Sequence, residues 1–302
     1  MWSLILSDVV NNSVDYIASG PTIYNDELEY ITDAESIIEK YEAASLMPIA
    51  FHEAIIDAKV NAKQTKAPVE DHVANMIIGS NAQCVEEALS QIRRSGYFAV
   101  PMSCQLQGRT IELSRFFHRL SKYISTFMLF HKLPGGHERG ELVSQALGSG
   151  MSGEKAGQFM ANVDAALIQV LVNDAVGICV VGSGETTTTL CSEPGEGGRN
   201  QEMVLAFAKM LVDDVVDEHL EIGFLSCGTD GQDGPTPATG AVISSEDLNP
   251  GSGKFDVADA TDSLKRNDSH GFFKRRGKGL VTIGATGTNV MDVQMLSVQL
   301  RK

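Results

Sequence analysis

The sequence predicts an α/β protein of two domains, residues 1–174 and 175–302. The chain has 302 residues and is 43% hydrophobic, which is enough to bury one large core or two smaller ones. Residues 72–102 have the pattern of a strand, an amphipathic helix and a second strand, with a turn at 79–81. Such a unit is typical of a crossover between parallel strands. From about residue 177 onward, short apolar strands alternate with helices and glycine-rich loops.

The first half of the chain is predicted to contain three strands and five helices. A capping-box pattern, Thr-Asp-Ala-Glu at 32–35, marks the start of the first helix. Gly96 is expected to end the third helix. Polar or glycine-rich stretches at 61–68 and 134–140 are expected to be exposed connections. The predicted strands are 3–6, 73–78 and 97–102. One predicted helix begins at residue 32, and the other four cover 49–58, 85–92, 110–131 and 155–172.

Three strands of the second half are followed by loops of glycine, threonine and acidic residues. In open α/β sheets, ligands bind beyond the carboxyl ends of the strands, so we expect these loops to lie on one rim. The three loops are 182–185, 228–236 and 284–289. One predicted helix of this half begins at residue 200, and the other covers 257–266. The predicted strands are 177–181, 186–190, 222–226, 241–244, 280–283 and 295–300.

The charge and the cysteine content argue against several kinds of protein. A formal net charge of −15, from 24 basic and 39 acidic side chains, argues against nucleic acid and anionic membranes as partners. An anionic ligand would need local attraction from Arg, Lys, backbone N–H groups or a bound cation. The five cysteines are scattered without a C-x-x-C pair, which fits a reducing compartment such as the cytoplasm. No apolar run predicts a membrane span, and the first residues do not resemble an export signal.

The stretch 195–202, Gly-Glu-Gly-Gly-Arg-Asn-Gln-Glu, is a glycine-rich loop that runs into a helix. Glycine lets the backbone turn tightly and leaves N–H groups accessible, and the N-terminus of the helix adds the positive end of its dipole. Arg199 stands where its planar guanidinium can hold a phosphate or a carboxylate through two parallel hydrogen bonds. The stretch therefore predicts an anion-binding cradle. A tight surface loop with a solvated arginine explains the same residues.

Acids and hydroxyls in other loops are further candidates. Asp230 and Asp233 lie in a glycine-rich turn and suit Mg²⁺, although aspartates also favour turns without any metal. Glu185 is suited to orient a ligand hydroxyl, or it is an exposed acid at a strand end. Residues 286–289, Thr-Gly-Thr-Asn, suit phosphate oxygens and equally suit a hydrogen-bonded turn. Asp8, just after the first predicted strand, has the position of a catalytic acid.

Several long motifs, in order and spacing, resemble the carboxy-terminal MOFRL domain of the glycerate 2-kinase family. Residues 4–9 and 17–22 also look like the second part of that family's amino-terminal domain. The resemblance implies a partial Rossmann-like parallel-sheet domain followed by a mixed-sheet α/β domain of the MOFRL type. The motifs are Gly-Gly-Arg-Asn-Gln-Glu at 197–202, Gly-Thr-Asp-Gly-Gln-Asp-Gly-Pro-Thr at 228–236, Asn-Asp-Ser at 267–269 and Thr-Gly-Thr-Asn-Val-Met-Asp at 286–292.

The resemblance implies transfer of a phosphoryl group from ATP to the 2-hydroxyl of D-glycerate with Mg²⁺, in a cleft between two α/β domains. Asp8 then looks like the acid near the reacting hydroxyl, and Arg199 like the cation that stabilises phosphate or substrate charge. Asp230 and Asp233 would border the metal. The residues implied for phosphate or nucleotide binding are Gly182, Ser183, Gly184, Glu185, Gly197, Gly198, Thr286, Gly287, Thr288 and Asn289.

Family members also carry, before the strand that opens this chain, a lysine placed to meet phosphate and a Ser-Gly-Gly-Gly-Ser loop, and this sequence contains neither. Two hypotheses therefore stay open. The chain is a working kinase, or it is an amino-terminally shortened, non-catalytic member that binds anionic ligands or partners. A kinase for another small hydroxy acid is a third, because pocket shape sets substrate choice. The expected location is cytoplasmic, or mitochondrial if an upstream segment exists, and the sequence predicts no oligomeric state.

Overall fold

The computed structural model of the chain describes residues 1–23, 27–62, 72–173, 175–214, 216–248 and 255–301. Helices and strands follow one another along it, and the predicted α/β class is confirmed. Contacts divide the chain into two compact units, Met1–Ile5 with Asn12–Ile78, and Leu6–Asn11 with Gly79–Lys302. The predicted domain boundary between residues 174 and 175 lies within the second unit and stays a prediction. Among the described residues, no helix is both long enough and apolar enough to cross a membrane.

Two strands and two α-helices are described between residues 1 and 80. The strands form a two-stranded parallel sheet, and the helices pack against each other. The predicted helix start at Thr32 is wrong, because that helix already begins at Glu27. The second helix starts as predicted, and residues 63–68 of the expected polar connection lie outside the described residues. The elements are β1 (Trp2–Ser7), α1 (Glu27–Lys40), α2 (Ile49–Ala62) and β2 (Ala74–Ser80).

The second unit contains a six-stranded sheet with the strand order β3-β4-β8-β5-β6-β7. Strand β3 runs parallel to β4, and the other neighbours are antiparallel. The last strand of the chain, β8, therefore lies between β4 and β5 and runs against both. The strands are β3 (Phe98–Pro101), β4 (Gly177–Gly184), β5 (Leu220–Gly228), β6 (Gly240–Ser244), β7 (Leu280–Val281) and β8 (Asp292–Leu300).

Helices cover both faces of this sheet. Side chains alternate along β4, so Cys179 packs with Val85 and Leu89 of α3, whereas Ile178 faces the larger core formed with α4, α6 and α7. Strand β4 is buried along its whole length, as expected for a strand covered on two faces. The helices are α3 (Asn81–Arg94), α4 (Thr110–Phe130), α5 (Gly136–Gly148), α6 (Gly153–Val172), α7 (Arg199–Asp213), α8 (Val257–Lys265) and α9 (Ser269–Arg276).

The structure corrects several predicted elements and confirms the others with small shifts at their ends. The crossover between β2 and β3 does not form, since β2 pairs with β1 and β3 pairs with β4. Instead of forming a turn, Ser80 ends β2 and caps α3 with its side chain. Residues 186–190 form no strand, only a bridge from Thr187 to Arg109. Residues 136–140, expected in a loop, begin α5, and α9 is an element that the sequence did not predict.

Candidate active site

The ends of three strands meet at one edge of the six-stranded sheet. Asp292, the first residue of β8, is paired with Gly184 at the end of β4 and with Gly228 at the end of β5. The segments that follow β4 and β5 and the segment that precedes β8 therefore leave the sheet at the same edge. The prediction that the loops 228–236 and 284–289 lie on one rim is confirmed, whereas residues 182–184, predicted to be in the third loop, are the end of β4 itself.

Arg199, the first residue of α7, is held by two carboxylates. Its Nε and Nη2 atoms donate to Oδ2 and Oδ1 of Asp292 at 2.5 and 2.9 Å, which is a bidentate pair. Its Nη1 atom lies 2.9 Å from Oε1 of Glu185. The side chain of Asp292 is 1% exposed, against 33% for Arg199 and 49% for Glu185. Arg199 is thus anchored from the sheet and is not a free surface charge.

Burial and charge oppose each other in this pair. Burial lowers the pKa of Arg199, but the hydrogen bonds and charge of Asp292, with the charge of Glu185, outweigh burial and raise this pKa above its usual value. Burial raises the pKa of Asp292 above its ordinary value, although the bonds and charge of Arg199 act against the rise. The cation is therefore permanent, and its removal would leave a buried carboxylate without a counter-ion.

The side chain of Asp233 occupies the N-terminus of α7. Its Oδ1 accepts hydrogen bonds from the backbone N–H and the side-chain amide of Asn200, at 3.0 and 3.1 Å. Its Oδ2 accepts from the backbone N–H and the side-chain amide of Gln201, both at 2.9 Å. The prediction of accessible N–H groups is wrong for these two residues, because a carboxylate of the protein already binds them. Each oxygen of Asp233 already accepts two hydrogen bonds, which does not favour its predicted role as a metal ligand.

Asn267 joins the segment before α9 to α7. Its side-chain amide donates to Oε2 of Glu202 at 2.9 Å and to the carbonyl of Thr189 at 3.2 Å, and its Oδ1 accepts from the N–H of Cys191 at 2.9 Å. Burial raises the pKa of Glu202 despite the bond from Asn267. Asn267 has a φ of 52°, a left-handed conformation that asparagine tolerates better than most residues. No predicted role fell on Asn267, although the Asn-Asp-Ser motif at 267–269 contains it.

A cleft of about 430 Å³ lies beside Arg199. It combines one cation with the acids Glu185 and Glu202, with hydroxyl groups and with apolar surface. Such a mixture suits a small molecule that carries an anionic group. The lining residues are Glu185, Thr186, Thr187, Thr188, Leu190, Pro194, Gly195, Gly197, Gly198, Arg199, Glu202, Gly234, Pro235 and Asn267.

Comparison with known proteins identifies the family. Residues 178–292 match the MOFRL family, and residues 1–73 match a domain of unknown function, DUF4147. The chain is 34% identical over 296 residues to the glycerate kinase of Mus musculus, an alignment that covers 97% of this chain and 54% of the relative. It is 33% identical over 307 residues to the glycerate kinase of Macaca fascicularis, which covers 99% of this chain and 72% of the relative. The chain belongs to the glycerate kinase family.

Similarity extends to a more distant relative and to a solved structure. The glycerate 2-kinase of Pyrococcus horikoshii is 26% identical over 303 residues, which covers 99% of this chain and 56% of that protein. A crystal structure of the glycerate kinase of Thermotoga maritima has the same fold, with a TM-score of 0.66 at 23% identity, and the match covers 98% of this chain and 56% of that one. This family member spans about half the length of most of these relatives.

In this member of the glycerate kinase family, three of the predicted nucleotide-binding residues lie inside a strand. Gly182, Ser183 and Gly184 form the buried end of β4 and not a loop. The hydroxyl of Ser183 donates to the backbone carbonyl of Asp292 at 2.7 Å, and a side chain at Gly184 would overlap the backbone of Leu106. Ser183 therefore supports Asp292, and the burial of all three residues does not favour their predicted contact with a nucleotide. Glu185, Gly197 and Gly198 do line the cleft with Arg199.

The loop 286–289 forms a second group with Asp8 and Asp230. The side-chain amide of Asn289 donates to Oδ2 of Asp8 at 3.1 Å. The N–H of Thr286 donates to the backbone carbonyl of Asp230 at 3.2 Å. Asp8 and Asp230 are both exposed. The contacts that hold this group are separate from those that hold Arg199, and the described part of the chain contains no group of three His, Cys, Asp or Glu side chains arranged for a metal ion.

Proposed function

We propose that this chain carries the active site of a glycerate 2-kinase, which transfers a phosphoryl group from ATP to the 2-hydroxyl of D-glycerate. The observation that carries the proposal is Arg199, a permanent cation that lines a cleft and is locked along one edge by a buried carboxylate. Phosphoryl transfer depends chiefly on the positioning of the reactants and on the neutralisation of charge. Membership of the glycerate kinase family supports the substrate.

Two further points belong to this proposal. We place the protein in the cytoplasm, on the scattered cysteines without a C-x-x-C pair. We also keep a domain boundary between residues 174 and 175, which is supported by the start of the MOFRL match at residue 178.

We assign Asp8 the role of the acidic residue next to the reacting hydroxyl group. Its carboxylate is exposed, and the bond from Asn289 restricts its orientation. In the proposed step, the 2-hydroxyl oxygen of D-glycerate attacks the γ-phosphorus of ATP, the bond from that phosphorus to the bridging oxygen breaks, and Asp8 accepts the hydroxyl proton. Arg199 balances the charge of the transferred phosphoryl group or of the substrate carboxylate.

The exposed carboxylate of Asp230 fits Mg²⁺ that arrives with the nucleotide. Mg²⁺ commonly uses one or two carboxylates and completes its shell with water and phosphate oxygens, so Asp230 is a sufficient protein donor. Asp233 is a weaker candidate because its oxygens serve α7. When bound, the ion would neutralise part of the phosphate charge. A cation is needed because the chain has a net charge of −15 and Arg199 is already paired with two carboxylates.

The proposal is tested by incubating the purified 302-residue chain with ATP, Mg²⁺ and D-glycerate and assigning the product by ³¹P and ¹H NMR. We expect 2-phosphoglycerate. A folded chain that yields no phosphorylated glycerate under these conditions would refute the proposal and favour the non-catalytic alternative. Formation of 3-phosphoglycerate would refute the assignment of the 2-hydroxyl.

Variants of Arg199 test its role in the reaction. Arg199→Ala is expected to lower turnover by about a thousandfold and to destabilise the fold by about 3–5 kcal/mol, since Asp292 stays buried without a partner. Arg199→Ala combined with Asp292→Asn should regain most of the stability and stay inactive. Arg115→Ala, which removes an exposed arginine paired with Glu112, is the matched control and should change neither property. Near-normal turnover of a folded Arg199→Ala protein would remove Arg199 from the active site.

A further inference from the structure

The two edges of the Arg199 guanidinium differ in how firmly they are held. The edge formed by Nε and Nη2 is bonded to Asp292, which is 1% exposed. The Nη1 atom is paired with Glu185, which is 49% exposed. Ion pairs at exposed positions are weak, because water and salt screen them and both side chains lose rotamer freedom. The pair with Glu185 is therefore the one that a ligand can replace.

The backbone of Glu185 is fixed while its side chain is free to turn. The N–H of Glu185 donates to the carbonyl of Leu106 at 2.8 Å. The preceding Gly184 lies so close to the backbone of Leu106 that no side chain fits there. Exposed side chains change rotamer within picoseconds to nanoseconds. Separation from Arg199 thus requires only a rotation of the Glu185 side chain and no movement of β4.

Both partners of this weak pair line the cleft. Glu185 and Arg199 are on its wall together with Thr186, Thr187 and Thr188. An anionic group that enters the cleft therefore meets a guanidinium with one edge already bonded to a carboxylate of the protein. A tethered carboxylate competes at high effective concentration, so the ligand must make more contacts than Glu185 alone provides. Phosphate, or a carboxylate beside hydroxyl groups, meets this condition.

We propose that Glu185 occupies the ligand-facing edge of Arg199 and that an anionic oxygen of the ligand displaces it. Glu185 is then a competitor of the ligand for Arg199, and not one of the groups that bind phosphate. The anion comes from a phosphate group or from the substrate carboxylate. The nature of the ligand rests on the proposed function, whereas the competition between Glu185 and the anion does not.

The test is a calorimetric titration of the full chain with inorganic phosphate and, separately, with D-glycerate. Glu185→Gln is compared with the unsubstituted chain and with Glu193→Gln, which removes the same charge from a nearby exposed residue that is not paired with Arg199. Glu185→Gln should bind the anion about two- to fivefold more tightly than both. Arg199→Lys, which keeps the charge beside Asp292 but loses the planar fork, should abolish the difference.

The two titrations identify the source of the anion. A gain in Glu185→Gln with phosphate alone assigns this edge of Arg199 to a phosphate group, and a gain with D-glycerate alone assigns it to the carboxylate. Equal affinities of Glu185→Gln and Glu193→Gln, weaker binding by Glu185→Gln, or no Arg199-dependent binding of either anion would overturn the inference. If the gain is present but no glycerate is phosphorylated, only the proposed function fails. If the chain is an active kinase without the gain, only the inference fails.

Discussion

Replacement of Asp233 by alanine tests whether the carboxylate of Asp233 caps α7 or binds a metal ion. The side chain is 2% exposed and accepts four hydrogen bonds, two from backbone N–H groups and two from side-chain amides of Asn200 and Gln201. Asp233→Ala leaves these buried donors at the start of α7 without an acceptor. An exposed helix cap contributes about 1 kcal/mol, and a hydrogen bond to a charged group about 1.5–3 kcal/mol. The four donors share one carboxylate, and water can enter part of the space that it leaves, so the contributions do not add in full. We expect the free energy of unfolding to fall by about 3–5 kcal/mol.

Asp230→Ala is the matched control. Asp230 lies three residues earlier in the same turn and is exposed, and its side chain accepts a hydrogen bond from the N–H of Gln232 at 2.9 Å. Its removal should change the free energy of unfolding by no more than about 0.5 kcal/mol. Urea denaturation followed by circular dichroism measures both variants, with and without Mg²⁺. A loss below 1 kcal/mol for Asp233→Ala, or a loss that appears only in the presence of Mg²⁺, would refute the assignment of Asp233 as the cap of α7.

Three further predictions rest on burial. Gly198→Ala should destabilise the fold by about 2–4 kcal/mol, because the added methyl group would overlap the bonded carboxylate of Asp233. Gly157→Ala in α6 is the control: the position has free space around it, so alanine should stabilise the fold by up to about 1 kcal/mol. Urea denaturation measures both variants. Burial raises the pKa of Cys227 to about 12, so iodoacetamide at pH 8 should label the exposed Cys191 first, as measured by mass spectrometry of peptides from the folded chain. Burial lowers the pKa of His118 despite the nearby Asp214, so the neutral imidazole is favoured in the folded state. The free energy of unfolding should therefore fall as the pH drops from 7 to 5. His118→Asn should flatten this pH dependence.

Local pattern was sufficient for most of the elements. The starts of α4 and α7 follow from the order of polar and apolar residues within a few positions, and both helices begin within one residue of their predicted starts. Local pattern was not sufficient where a neighbour decides the outcome. The threonines at 186–189 have strand propensity, but strand formation needs a partner, and only Thr187 makes a bridge. Residues 136–140 contain glycines typical of a loop, yet the packing of α5 against α6 keeps them helical.

The candidate site also has features that the sequence predicted and features that only the structure revealed. The sequence by itself determined that the loops 228–236 and 284–289 lie on one rim, because loops that follow strands of the same direction leave a sheet at the same edge. Only the tertiary structure decided which acid each donor binds. Asp292 stands 93 residues after Arg199, and Asp233 stands 33 residues after Asn200. These pairs depend on the insertion of β8 between β4 and β5 and on the turn that brings Asp233 to the start of α7. Such contacts are set by sheet order and close packing, which no local pattern of residues encodes.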